Sequence, residues 1–163
     1  MQSRHRLGFW GISFLVAVLP PVGAQEAERN VIGEPLAPWS EGILDIHHIS
    51  TGKGNSTFVI FPDGTALLID AGAATLPIPF ATARPNDSLR PGEWIARYIE
   101  HFHPTPSPVL DYALLTHFDA DHIGFVDQDS PLSSSGAYRL SGVTDVGERV
   151  SIRTIIDRGS PDY

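Results

Sequence analysis

Four side chains able to bind a metal ion, His117, Asp119, Asp121 and His122, fall within six residues in the stretch LLTHFDADHIG, Leu114–Gly124. Crowding lone-pair donors and carboxylate charge onto one short turn is costly unless something positive sits among them. On an extended chain His117 and Asp119 point the same way, two residues apart. Asp121 and His122 are neighbours where a helix is expected to start, so their donors can diverge toward two centres. Carboxylate oxygen and imidazole nitrogen together suit Zn²⁺, Mn²⁺ or iron ions, and a pair of ions is the expected occupant. With no cysteine anywhere in the chain, any metal must be held by histidine and carboxylate.

Two plainer accounts compete for the same residues. In the first, Asp119 or Asp121 caps a helix while His117 and His122 are satisfied locally. Aspartate is a favoured N-cap, but capping accounts for one carboxylate and not for four groups. In the second, DADHIG is a calcium loop beginning at Asp119. Its fifth position is Ile123, which cannot ligate, and no glutamate stands at the twelfth, so that reading fails.

The elements that must position the turn are legible on either side of it. Val109–Thr116 is a nearly continuous apolar run of strand length, as expected for a strand buried on both faces. Upstream, Ile43–Ile49, Thr57–Phe61 and Thr65–Asp70 read as strands. The last two are joined by Pro62-Asp63-Gly64 as a β-hairpin, and Asp70 sits at a strand end. Ala74–Arg90 carries three prolines without a clear period and reads as a long loop. Trp94, Ile95, Tyr98, Ile99 and Phe102 then mark one face of a helix over Pro91–Phe102, with Pro91 in its first turn. Val150–Ile156 is a further strand. This order of strands, helix and buried strand predicts an α/β fold, with the ligand-rich turn at the C-terminal edge of a central strand.

The ends of the chain carry other information. Arg4, His5 and Arg6 precede a 13-residue apolar run, Leu7–Leu19, and Val22-Gly23-Ala24 offers a small-residue cleavage site. The run falls short of the roughly 20 residues needed to span a bilayer, so residues 1–24 read as a secretory signal peptide and the workplace as secreted or periplasmic. Residues 25–40, polar and interrupted by Pro35 and Pro38, form a leader. Loss of Met1–Ala24 leaves nine basic against nineteen acidic residues, a net charge of −10. Such a surface disfavours long nucleic acids as partners, and no membrane span remains.

The remaining histidines have bland explanations. His47 and His48 are consecutive on a strand and point to opposite faces, which suits packing or exposure rather than one site. His101 and His103 sit at a helix C-terminus, where cations complement the dipole. The turn TGKGNS, Thr51–Ser56, lacks the spacing of a phosphate-binding loop and reads as a tight connection between strands.

THFDADHIG resembles the HxHxDH signature of metallo-β-lactamase-fold hydrolases, with aspartate in place of the middle histidine. LLIDAG, Leu67–Gly72, is similar to the strand end that precedes that signature in the family. With TGKGNS upstream, the trio most resembles a secreted branch that includes the hydrolase-like domain of bacterial competence DNA-uptake proteins. The resemblance implies a four-layer αββα sandwich, of which 41–163 would be the N-terminal half. It implies two Zn²⁺ ions, with Mn²⁺ or iron possible. His117 and Asp119 would be ligands of the first ion and Asp121 and His122 of the second. Asp121 would also orient the attacking water, and Asp70 would steady the motif loop. The implied activity is hydrolysis of an ester, amide or phosphodiester in a small-molecule or phosphodiester substrate. Such a site takes further histidines from later strands, and none follows His122. The chain is therefore expected to be part of a longer protein and inactive by itself. The alternative is a non-catalytic extracellular binding module with an incomplete site; a redox enzyme with iron in the same ligands is a third reading.

Overall fold

The computed structural model describes residues 32–73 and 82–159. The signal-peptide expectation for 1–24, the leader up to residue 31 and the 74–81 part of the long loop lie outside these. The chain divides into two compact units, Met1–Ala37 and Pro38–Tyr163. The described part of the first, 32–37, holds no helix or strand, and all the elements named here belong to the second.

These elements run β1 (Asp45–His48), β2 (Thr57–Ile60), β3 (Ala66–Ile69), α1 (Pro91–Phe102), β4 (Val109–Leu114), α2 (Ala120–Ile123), α3 (Val143–Arg149) and β5 (Ser151–Ile156). The five strands form one mixed sheet in the order β1-β2-β3-β4-β5. The first three are antiparallel neighbours, whereas β4 runs parallel to both β3 and β5. The β2–β3 hairpin turns where Pro62-Asp63-Gly64 predicts. Gly64 N–H reaches Phe61 O at 2.9 Å, and Asp63 Oδ1 accepts from Thr65 N–H at 3.0 Å.

Helix α1 spans the residues that its apolar spacing predicts. Glu93 Oε2 accepts the Arg90 N–H at 2.9 Å and closes its first turn. Ile95 and Ile99 are fully buried from this helix, against Phe58, Ile60, Leu68 and Leu110 of the sheet and Val146 of α3. Each such side chain contributes about 1.5–3 kcal/mol by leaving water. Trp39, at the end of the expected leader, packs against the same core and donates from Nε1 to Ile43 O at 2.7 Å.

One expectation needs correction. β4 is not buried on both faces: Leu110 and Ala113 are fully covered, but Tyr112 is 42% exposed. The helices α1 and α3 lie on one face of the sheet, and among the described residues no layer covers the other. There Phe61, Leu67, Tyr112, Leu114 and Ile156 line an open apolar groove. In addition, α3 does not figure among the elements read from the sequence. Its signal is Val143, Val146 and Val150 at helical spacing, obscured by a length of seven residues, two valines, a threonine and Gly147.

Candidate metal centre

β3 and β4 are parallel neighbours, with Ile69 opposite Leu114, so both chains leave the sheet at the same edge. Asp70 follows one strand and Thr116 the other. Asp70 is fully buried and adopts φ +57°, a left-handed conformation that aspartate tolerates better than most residues. Its N–H donates to Leu114 O at 2.9 Å. The carboxylate accepts three hydrogen bonds, from Thr116 N–H on Oδ1 at 2.8 Å, from Thr116 Oγ1 on Oδ2 at 2.8 Å, and from His122 Nδ1 on Oδ2 at 2.7 Å.

These bonds assign the histidine tautomers. A carboxylate only accepts, so the hydrogen shared with His122 belongs to Nδ1 and the Nε2 lone pair is free. Thr116 commits its one hydroxyl hydrogen to Asp70, so toward His117 Nδ1, 3.1 Å away, it can only accept. This favours a hydrogen on His117 Nδ1, with Nε2 turned toward Asp119 Oδ2 at 3.5 Å. A carboxylate behind an imidazole is the arrangement by which proteins orient histidine ligands and raise their basicity.

The four ligand candidates are placed unequally. His117, Asp121 and His122 each offer one donor atom, and these atoms all lie within 4.8 Å of one another; all three residues are half-buried. The imidazole rings of His117 and His122 approach to 3.7 Å between centroids. Asp121 and His122 therefore each bring a donor close to one on His117. α2 has only four residues, and within it His122 is held by the buried Asp70. Asp119 stands apart from this trio. It occupies the N-cap position of α2, where its carbonyl accepts from His122 N–H and Ile123 N–H, but its side chain makes no cap hydrogen bond. That side chain is 78% exposed, with Oδ2 3.5 Å from His117 Nε2. Helix capping thus engages no side-chain carboxylate of the motif.

The turn is held by backbone as much as by side chains. Ala71 N–H donates to His122 O at 2.7 Å, Ala73 N–H to Ala120 O at 3.2 Å, Asn55 N–H to Asp121 O at 2.7 Å and Gly72 N–H to Asn55 O at 2.9 Å. Thr51–Ser56 connects β1 to β2 as predicted, and it also clamps the ligand-bearing turn, a role with no local signature in its sequence. The close approach explains two glycines. A Cβ on Gly72 would lie 1.9 Å from Asp121 O, and one on Gly54 would lie 2.5 Å from the Gly72 carbonyl.

The other histidines lie elsewhere. His47 turns inward against Phe58 and Phe102, with Nδ1 3.0 Å from Tyr98 Oη, whereas His48 faces outward beside Thr57 Oγ1. Burial holds the His47 imidazole below its usual pKa, and Asp45 offsets this in part. His101 is exposed, edge-on to Phe102. No helix among the described residues is long and apolar enough to cross a membrane. Comparison with protein-family models, with curated proteins and with solved structures finds no match for this chain.

Proposed function

We propose that the protein is a metal-dependent hydrolase, in which a metal-activated water attacks an ester, amide or phosphodiester bond. The observation that carries this reading is the convergence of His117, Asp121 and His122 in front of a buried carboxylate committed to His122. Three protein donors of the imidazole and carboxylate type are what a catalytic zinc ion takes, leaving a position open to water and substrate. When bound, Zn²⁺ would lower the pKa of water toward neutrality and polarise the attacked oxygen.

The chain's own residues divide the remaining work. His117 and His122 would each hold the ion through one ring nitrogen, with Thr116 and Asp70 steadying the rings from behind. Asp121 would supply a carboxylate oxygen as a ligand and would orient the attacking water. Asp119 approaches from the solvent side of His117 and is the candidate for a further ligand; a second ion needs donors beyond these four residues. Mn²⁺ or iron suits the same donors. The metallo-β-lactamase-like four-layer sandwich belongs to this reading, supported by the apolar sheet face around Tyr112 that a second layer would cover. A secreted or periplasmic workplace rests on the signal-like sequence of Met1–Ala24, and the acidic balance favours small substrates over long nucleic acids.

The test is elemental analysis of the full-length protein and of its Asp121→Ala/His122→Ala double variant, with bis(p-nitrophenyl) phosphate and p-nitrophenyl acetate as generic substrates. Zinc or manganese bound to the wild type, lost together with hydrolysis in the variant, supports the assignment. Bound metal without hydrolysis favours the binding-module alternative. A folded wild-type protein that takes up no metal sinks the hydrolase reading and leaves THFDADHIG as a turn on a binding domain.

A further inference from the structure

A second feature is separate from the motif turn. A groove of about 660 Å³ runs between α1, the chain leaving β1 and the Arg84-Pro85 segment. Its volume falls in the range of roughly 300–1,000 Å³ that small-molecule sites occupy. Trp94, Tyr98 and Phe102 form its apolar floor, and Arg84, Arg97 and His101 stand around it. We propose that this groove binds a small organic anion with a planar apolar body, such as an aromatic carboxylate, held by Arg84 and Arg97 over Trp94 and Tyr98.

Charge is the first argument. Arg90, Arg149 and Arg153 each form an ion pair, with Glu93 and Asp145, Glu100 and Asp111 respectively. Arg84 and Arg97 form none with a described residue, although the chain has nineteen acidic residues to eleven basic. In so acidic a chain, two guanidinium groups on one groove that form no ion pair among the described residues complement an anion.

Rigidity is the second argument. Trp94 Nε1 donates to Asn86 O at 3.0 Å, which fixes the indole and ties the Arg84 segment to α1. Tyr98 Oη is held 3.0 Å from His47 Nδ1, and the Tyr98 and Phe102 rings pack at 4.6 Å. The Arg97 guanidinium lies 5.7 Å over the Trp94 ring, which orients its donors at little entropic cost. A floor fixed in this way loses little freedom when a planar ligand settles on it. The Thr51 hydroxyl is the third argument. It is buried in the groove wall with no hydrogen-bond partner among the described residues, an unused donor beside the site.

The proposal does not depend on the metal reading and is tested on the full chain with 2-naphthoate and its neutral counterpart naphthalene-2-methanol. Affinity is followed by calorimetric titration and the location by the indole N–H signal of Trp94 in NMR. The expected result is saturable naphthoate binding that shifts the Trp94 signal, with the alcohol at least tenfold weaker. In an Arg84→Ala/Arg97→Ala variant, whose replaced side chains are exposed, naphthoate should lose at least tenfold in affinity while the alcohol is unchanged. Equal affinity for acid and alcohol on the wild type overturns the proposal without recourse to the variant. So does the absence of saturable naphthoate binding, or naphthoate binding that survives in the folded variant undiminished.

Discussion

Replacing Asp70 by asparagine isolates what the buried carboxylate does for the metal centre. Asparagine tolerates the left-handed backbone at φ +57° as aspartate does, so the main chain has no reason to move. The side chain keeps its shape but can offer an acceptor on one side only. If its oxygen faces Thr116 N–H, its NH₂ group is directed at Thr116 Oγ1 and His122 Nδ1, which now lie 2.8 and 2.7 Å from Oδ2. Both partners are donors in the native arrangement. His122 relieves the conflict by moving its hydrogen to Nε2, which removes the lone pair that the ion needs. The loss is one hydrogen bond to a charged acceptor in a site closed to water, about 1.5–3 kcal/mol, equivalent to a tenfold to hundredfold weaker metal site. The assay is zinc affinity by competition with a chromophoric chelator, with thermal melting of the metal-free protein run alongside. A variant that melts cooperatively but binds zinc at least tenfold more weakly is the expected outcome. Zinc affinity within twofold of the wild type would refute the claim that Asp70 sets the His122 tautomer.

Three further outcomes are expected. Gly72→Ala forces its Cβ into Asp121 O and Asn55 N; breaking the clamp should cost about 2–4 kcal/mol in urea denaturation, with metal affinity falling as well. Arg90→Ala leaves Asp145, whose carboxyl burial pushes up in pKa and the guanidinium pulls back down, without its partner. Because Arg90 is itself 37% exposed, the loss should be about 2–3 kcal/mol, short of a fully buried pair, and an unchanged urea midpoint would contradict it. The lowered pKa of His47 means that the unfolded chain takes up a proton first as pH falls. Its contribution to stability is therefore complete above the usual value of 6.5 and lost below it as pH drops through the folded-state value. The urea midpoint should fall between pH 7 and pH 5 in the wild type and fall less in His47→Gln.

Where sequence and structure agree, near neighbours in the chain account for it. The hairpin around Pro62-Asp63-Gly64, the span of α1 and the position of β4 follow from turn chemistry and periodicity among neighbouring residues. The candidacy of His117, Asp119, Asp121 and His122 follows from residue type and spacing alone. α3 escaped because seven residues carry too few repeats to outweigh β-branched side chains and a glycine. The open face of β4 escaped because an apolar run reports affinity for a core and not the number of layers that supply one.

The sequence by itself determined the strands and the helix α1 around the turn, the crowding of ligand-type residues into it and the absence of thiolate alternatives. Each of these is a property of residues close together in the chain. Only the tertiary structure decided which donors meet, that Asp119 faces solvent while His117, Asp121 and His122 converge, and that Thr51–Ser56 clamps the turn. It also decided that Asp70 holds Thr116 and His122, 46 and 52 residues away. Such contacts depend on β3 and β4 lying side by side and parallel, so that distant residues leave the sheet at one edge. That pairing is chosen by the packing of the whole sheet against α1 and α3, which no local window of the sequence contains.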